Sequence, residues 1–416
     1  MPRTRLVVLV ASVPLVVFTL VGGFLGREAA GENPYRHLRI LEDVVSLISN
    51  NYVEDVDLGE VMDGALRGLT EGLDADSAYL SAEDVDRIEN GRPLPAGGIG
   101  VEVRRRYYLQ VVAPLDGSPA ARAGVLPGDF IRAIDSEPTR FMSAIEGQRL
   151  LRGEPGSTVT ISLIRGSTQE PYDVELARED LVIPDVTHRM AADETGYVRV
   201  ASFGAGTASA IADAVGQLLF DDAASRIILD LRNSASGAYE EALVATRLFV
   251  ADGTLAIRQE HGDQRTPLAP PPLGTIIRES AVTPGLGVGL SFTPVFEDVL
   301  ADFTAVVDTP VVLLTNFGTA GPAELFVAAL AGRDRAETVG QRTAGRASEQ
   351  KLVRLPDGTG LWLSRARYLT PDGEPIDRVG VVPDVAVDVA LPELGEPLPE
   401  EDPILERALE AIAEPI

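Results

Sequence analysis

At 416 residues, 45% of them hydrophobic and 24% charged, the chain is long enough for two or three domains with sizeable cores. A net charge of −27 excludes nucleic acid as a partner, because phosphates demand surfaces rich in Lys and Arg. Cysteine is absent, which excludes disulfides, thiolate nucleophiles and cysteine metal sites. His37, His188 and His261 lie far apart without ligand spacing, so neither a metal nor a cofactor is expected.

Leu6 to Gly26 is a nearly unbroken apolar run preceded by Arg3 and Arg5. Its length matches the roughly 20 residues that cross a bilayer, and the basic flank favours the cytoplasmic side. A cleaved signal peptide is the alternative, but its apolar core is usually about 7–15 residues. Glu28-Ala29-Ala30 is also a poor cleavage site. Residues 1–30 therefore read as a single-pass anchor in a bacterial membrane, with the body in the periplasm or extracytoplasmic space. From 35 to 95 the pattern is helical, with apolar residues at Leu38, Leu41, Val44, Val45, Leu47 and Ile48. A second helix spans Leu58 to Leu69, and Ser81 with Asp84 marks the start of a third.

Residues 97–180 read as a compact β-rich unit. Strands are expected over Gly97–Val103, Leu109–Val112, Phe130–Ile134 and Val159–Arg165, with helices over Ser118–Gly124 and Ala144–Arg152. This order, with the signature Ser118-Pro119-Ala120-Ala121-Arg122-Ala123-Gly124 leading to Gly128-Asp129, resembles a PDZ domain. Glycines at 97, 98 and 100 allow successive backbone N–H groups to converge on a terminal carboxylate. The neighbouring strand edge can then pair with an extended peptide. Gly98, Ile99, Gly100 and Val101 are the expected peptide contacts.

From Gly196 the pattern becomes α/β, with buried strands at Tyr197–Val200, Arg226–Leu231 and Val311–Thr315. Helices are expected over Thr207–Leu219, Tyr239–Phe249 and Ala323–Leu330. Continuous apolar strands alternating with helices predict a partly parallel sheet covered on both faces. The Pro/Gly-rich stretch Gln264–Ala305 reads as a surface excursion, and the acidic segment 391–416 as a solvated tail.

Several stretches in order resemble the C-terminal processing (tail-specific) serine peptidases, over about residues 35–390. Leu73-Asp74-Ala75-Asp76-Ser77-Ala78-Tyr79-Leu80 is similar to the family's Leu-Asp-Pro-His-Ser-x-Tyr-Leu, with Ala75 and Asp76 in place of proline and histidine. Asp230-Leu231-Arg232-Asn233-Ser234-Ala235-Ser236-Gly237 is similar to Asp-Leu-Arg-Asn-Asn-Pro-Gly-Gly. Tyr368–Gly373 and Gly380–Asp384 match its closing strand segments. The resemblance implies a multidomain α/β and β protein: helical segment, PDZ domain, and a ClpP/crotonase-like peptidase fold over 190–390. It also implies that Arg152 corresponds to an arginine linking the PDZ and peptidase domains.

Two further stretches, Thr319-Ala320-Gly321-Pro322-Ala323-Glu324 and Thr343-Ala344-Gly345-Arg346-Ala347-Ser348-Glu349-Gln350, fall on the family's catalytic segments. The nucleophilic serine corresponds to Gly321, the general-base lysine to Arg346 and the lysine-orienting glutamine to Gln350. The spacing from 321 to 346 is the family's own. Glycine has no side chain to attack with, and an arginine stays protonated and cannot serve as a base. Pro322 has no N–H to give an oxyanion, and Ser236-Gly237 stands where the family has Gly-Gly. The single lysine, Lys351, follows Arg346 at an odd offset, on the opposite face of an extended segment. The expected function is capture of extended or C-terminal peptide segments by a catalytically impaired family member, within an oligomer or beside an active homologue. The alternatives are a serine endopeptidase with an unconventional nucleophile, drawn from Thr319, Ser234, Ser236 or Ser348, and a structural envelope protein assembled through its PDZ unit.

Overall fold

The structure, a computed structural model, describes residues 34–166, 170–270, 306–396, 398–399 and 401–413. The apolar run Leu6–Gly26 lies outside them. Among the described residues no helix is long and apolar enough to cross a membrane. The chain divides into two compact units, one through Leu69 and one from Thr70 onward. The first contains helix α1 (Pro34–Asn51) and most of α2 (Leu58–Glu71), close to the expected spans.

The second unit opens with strand β1 (Ala78–Leu80) and helix α3 (Ala82–Glu89). The Ser81 hydroxyl caps α3 by accepting the Asp84 N–H at 3.2 Å, as the sequence pattern predicts. The PDZ part follows. Its strands are β2 (Gly97–Gly98), β3 (Val101–Arg105), β4 (Leu109–Pro114), β5 (Phe130–Ile134), β6 (Glu137–Pro138), β7 (Arg152–Gly153), β8 (Thr158–Ile164), β9 (Tyr172–Ala177) and β10 (Glu179–Asp180). Its helices are α4 (Pro119–Arg122) and α5 (Ala144–Leu151). One sheet runs β3-β4-β5-β8-β9 and a small second sheet runs β10-β2-β7. Alternation puts Val101, Val103, Leu109, Val111, Ile161 and Leu163 in one apolar core.

The peptidase-like part is built on a sheet ordered β11 (Val186–Ala192), β12 (Thr195–Val200), β13 (Arg226–Asp230), β16 (Val311–Thr315), β17 (Glu337–Gly340) and β20 (Val385–Ala386). All its pairings are parallel except β11 with β12. Ile227, Leu229, Val311 and Leu313 face a core closed by α6 (Thr207–Phe220), α7 (Tyr239–Thr246) and α8 (Pro322–Ala331). Ile228, Val312, Leu314 and Val339 face the other way. That two-sided burial is why these strands read as continuous apolar runs. A second, antiparallel sheet is ordered β1, β19 (Gly360–Leu369), β14 (Ala256–Glu260) and β15 (Gln264–Leu268), with β18 (Ser348–Arg354) pairing β19.

Two expectations are corrected. Gln264–Leu268, the start of the expected excursion, is strand β15 paired with β14; residues 271–305 lie outside the described set. The tail does not float in solvent. Helix α9 (Pro403–Ala413) buries Ile404, Ala408 and Ile412 against the second face of the large sheet. Those residues recur at four-residue spacing, so the acidic side chains occupy only the outer face. Before that helix, the chain crosses to the PDZ part. Arg165, bonded to Asp129 at 2.7 Å, also donates to the Pro392 carbonyl at 3.0 Å, and Leu394 packs on the PDZ core. Asp402 returns the chain to the large sheet through two bonds from Arg232, at 2.7 and 2.9 Å.

Candidate active site

Parallel α/β sheets present ligand sites beyond the carboxyl ends of their strands. Here the loops after β13, β16 and β17 meet at that edge. Ala320 N–H donates to the Ser234 carbonyl at 2.9 Å, and the Thr319 hydroxyl donates to the Leu231 carbonyl at 2.9 Å. Ala344 N–H donates to the Thr319 carbonyl at 2.9 Å. The three segments that carry Ser236-Gly237, Gly321-Pro322 and Arg346 are thereby locked together.

Gly321 caps α8 with φ 60° and ψ −120°, a strained turn between strand and helix. A Cβ added there would meet nothing nearer than 3.7 Å, the Arg346 carbonyl and the Tyr239 hydroxyl. The turn has room for a side chain that glycine does not carry. Gly237, at φ 117°, must be glycine, because a Cβ would lie 2.2 Å from the Phe203 carbonyl. Ser236 is half-buried, and its carbonyl accepts the Phe203 N–H.

Glu324 is the hub of the elbow. Its fully buried carboxyl accepts the N–H groups of Gly321 (3.0 Å), Gly345 (2.6 Å) and Arg346 (2.7 Å) and the Thr343 hydroxyl. Burial pushes this carboxyl up to about 7, although each of those donors pulls it down.

Arg346 is buried. Its Nε donates to Asp76 Oδ1 at 2.8 Å, while Nη1 is buried without a hydrogen-bond partner. Asp76 is presented by a turn in which Asp74 accepts the Asp76 and Ser77 N–H groups at 2.9 and 2.5 Å. Burial opposes the charge on Arg346, but Asp76 and Glu102 hold its affinity for the proton above the ordinary arginine value. The two positions that depart from the family's histidine and lysine are thus in contact, 270 residues apart in sequence. Gln350 turns its amide to the hydroxyls of Ser348 (2.8 Å) and Ser364 (3.2 Å) rather than to Arg346. Lys351 is exposed, as its offset predicts. Ser234 Oγ is buried without a partner, and Thr319 and Ser348 are buried too.

The PDZ part covers this edge. Val112 and Ala113 of β4 pack against Ala235, Ala320 and Ala344. Arg104 of β3 donates to the Ala344 carbonyl at 3.1 Å and lies 5.3 Å from the Phe317 ring. Burial and the neighbouring Arg106 bring Arg104 down to about 10. Glu102 of β3 is buried with its carboxyl raised by burial, which Arg346 and Arg152 partly offset. Arg152 itself donates to the Pro95 carbonyl at 3.5 Å, and the direct bonds between the two parts come instead from Arg104 and from Arg199 of β12, which donates to both Asp116 carboxylate oxygens at 2.7 and 3.0 Å.

The expected peptide groove is partly filled by the chain itself. β2 is paired on both edges, by β7 and β10, so the open edge belongs to β3. There Gln148 of α5 donates to the Val101 carbonyl at 2.9 Å, and Arg105 N–H donates to the Ala75 carbonyl at 3.3 Å. Gly100 holds φ 75°, and a Cβ would fall 2.2 Å from Ser118 Cβ. Ile99 lies in the PDZ core. Sequence reading missed Asp76 as the partner of Arg346, and with it Glu324, Glu102, Arg104 and Tyr239. The available signal was the paired change of an acid at 76 and an arginine at 346.

The raised carboxyls give a pH prediction. Glu324 rises from 4.5 to about 7, and Asp377 from 3.8 to about 6, the latter through burial and then the neighbouring Asp76. Raised folded values mean a contribution fully present below the unfolded values and lost as pH rises through about 6 and about 7. The melting temperature should therefore fall by about 3 °C or more between pH 5 and pH 8. Asp377→Asn should remove the lower part of that slope. A flat profile in differential scanning calorimetry would contradict both assignments.

The profile of peptidase family S41 matches residues 194–387, and that of a PDZ domain matches residues 110–165. The chain is 28% identical over 366 residues to the carboxy-terminal-processing protease of Bartonella bacilliformis, covering 87% of this chain and 77% of that protein. It is 26% identical over 382 residues to the carboxy-terminal processing protease CtpA of Bacillus subtilis, covering 91% and 75%. The photosystem II D1 C-terminal processing protease shares its fold, with a TM-score of 0.64 at 24% identity over 89% of this chain and 96% of that one. The chain thus carries a peptidase family S41 domain and a PDZ domain, and over most of its length it is similar to C-terminal processing proteases.

Proposed function

We propose that this chain is a catalytically silent family member that holds extended or C-terminal peptide segments instead of cutting them. Its body stands outside the cytoplasm, anchored through Leu6–Gly26. The Arg346–Asp76 pair carries the reading. A general base must be able to lose its proton, and a buried guanidinium beside a carboxylate does not. Gly321 supplies no nucleophile, Pro322 no amide donor, and Lys351 faces solvent. The retained PDZ part, with β3 as an edge strand beside α5, supports peptide capture by strand addition. A peptide on that edge has to displace the Gln148 amide and the Ala75 carbonyl.

Incubating the full chain with an unstructured protein should leave it intact by mass spectrometry. Cleavage that disappears in Ser236→Ala or Ser348→Ala would overturn the silent reading. Peptides with a free C-terminus should bind about tenfold tighter than amidated ones, the scale of hydrogen bonds to a charged group. Equal, weak binding of both would reject carboxylate capture.

A further inference from the structure

Beyond peptide capture, we propose that the tip of the PDZ part formed by the β3–β4 turn and the Thr139–Phe141 turn docks on an anionic phospholipid surface. Arg104-Arg105-Arg106-Tyr107-Tyr108 contains three arginines and no acid, in a chain of net charge −27. Tyr107 is 62% exposed and Phe141 66% exposed. Between them lies Arg140, its guanidinium carbon 4.1 Å from the Tyr107 ring centroid and 5.1 Å from that of Phe141. Tyr108 meets Tyr107 edge-on at 4.9 Å. Arg105 ties the two turns together through the Met142 and Arg140 carbonyls, at 3.1 and 3.2 Å, and is itself neutralised by Glu71. That leaves Arg106 and Arg140, with no ion pair among the described residues, beside two exposed rings on a fixed scaffold. Glu137, exposed on β6, is the acid nearest in sequence to the second turn.

The chemistry fits a lipid interface better than a protein. Tyrosine and phenylalanine sit at the headgroup boundary, and arginines gain from anionic headgroups there. Two adjacent turn tips offer far less than the roughly 800 Å² per partner of a stable protein interface. The argument uses no property of the N-terminal run, so anchoring and tip contact can fail separately.

The test places tryptophan at the tip of the full chain, as Tyr107→Trp and Phe141→Trp, with buried Trp362 as an internal reference. Vesicles contain brominated phosphatidylcholine, with or without phosphatidylglycerol. Flotation reads anchoring, and quenching of the added tryptophan reads tip contact. Quenching and a blue shift are expected with phosphatidylglycerol. Reversing both charges, Arg106→Glu with Arg140→Glu, should lower the docked fraction by roughly thirtyfold or more while flotation persists. Equal quenching without phosphatidylglycerol, or quenching unaffected by charge reversal, overturns the proposal. So does flotation with no quenching. A tip emission shift produced by polyglutamate in place of vesicles also overturns it, in favour of an acidic protein.

Discussion

Asp76→Ala is expected to destabilise the protein by about 3–5 kcal/mol, the range for removing one partner of a buried ion pair. Arg346 already has an unpartnered Nη1, so losing Asp76 removes the one hydrogen bond its side chain is shown to donate. Glu102 is close enough to act on Arg346 electrostatically, but burial raises its own carboxyl and weakens that compensation. Removing both charges is a different matter. Asp76→Ala with Arg346→Met should return to within about 1 kcal/mol of the parent, because a dry apolar replacement carries no desolvation penalty. Trp362, buried and paired with Ala78 two residues from Asp76, is a local fluorescence probe for urea unfolding. A single-variant cost below about 1 kcal/mol would mean the guanidinium finds another partner.

On the proposed silent reading, a reactive serine site should take four changes rather than two. Gly321→Ser has room, at the strain of a non-glycine residue at φ 60°. Combined with Pro322→Ala and Arg346→Lys it still places an ammonium beside Asp76. An opposite charge at that range favours the protonated form by about 1–3 pKa units, so the lysine stays charged and idle. Adding Asp76→Ala should raise fluorophosphonate labelling by about 10- to 1000-fold over the triple variant. Should triple and quadruple variants label equally fast, the ion pair is not what silences the site.

Much of this was readable in advance. The PDZ signature, the Ser81 cap and the continuous apolar strands at 226–230 and 311–315 each follow from local pattern. Gly321 and Arg346 were legible as departures from a family frame. Their meaning was not, because the Arg346–Asp76 contact joins segments 270 positions apart and no local periodicity encodes it. The β3–β4 face carries Glu102 and Arg104, charged residues that read as exposed until another surface covers them. In α9 the acid content masked a buried stripe, although Ile404, Ala408 and Ile412 keep helical spacing. The β18–β19 hairpin was missed for a related reason: charged and apolar residues mix along it, so neither face reads as core.

The crossing of residues 392–402 between the two parts has a consequence for biosynthesis. Translation delivers the PDZ fold first and the large sheet second. Pro392, Leu394 and Asp402, which bind Arg165, the PDZ core and Arg232, come only afterwards. During synthesis the two bodies are joined by the 181–185 linker and whatever surface they already share. The fastening arrives last, so a nascent chain interrupted before residue 392 lacks both this tie between the parts and the α9 helix that covers the second face of the large sheet.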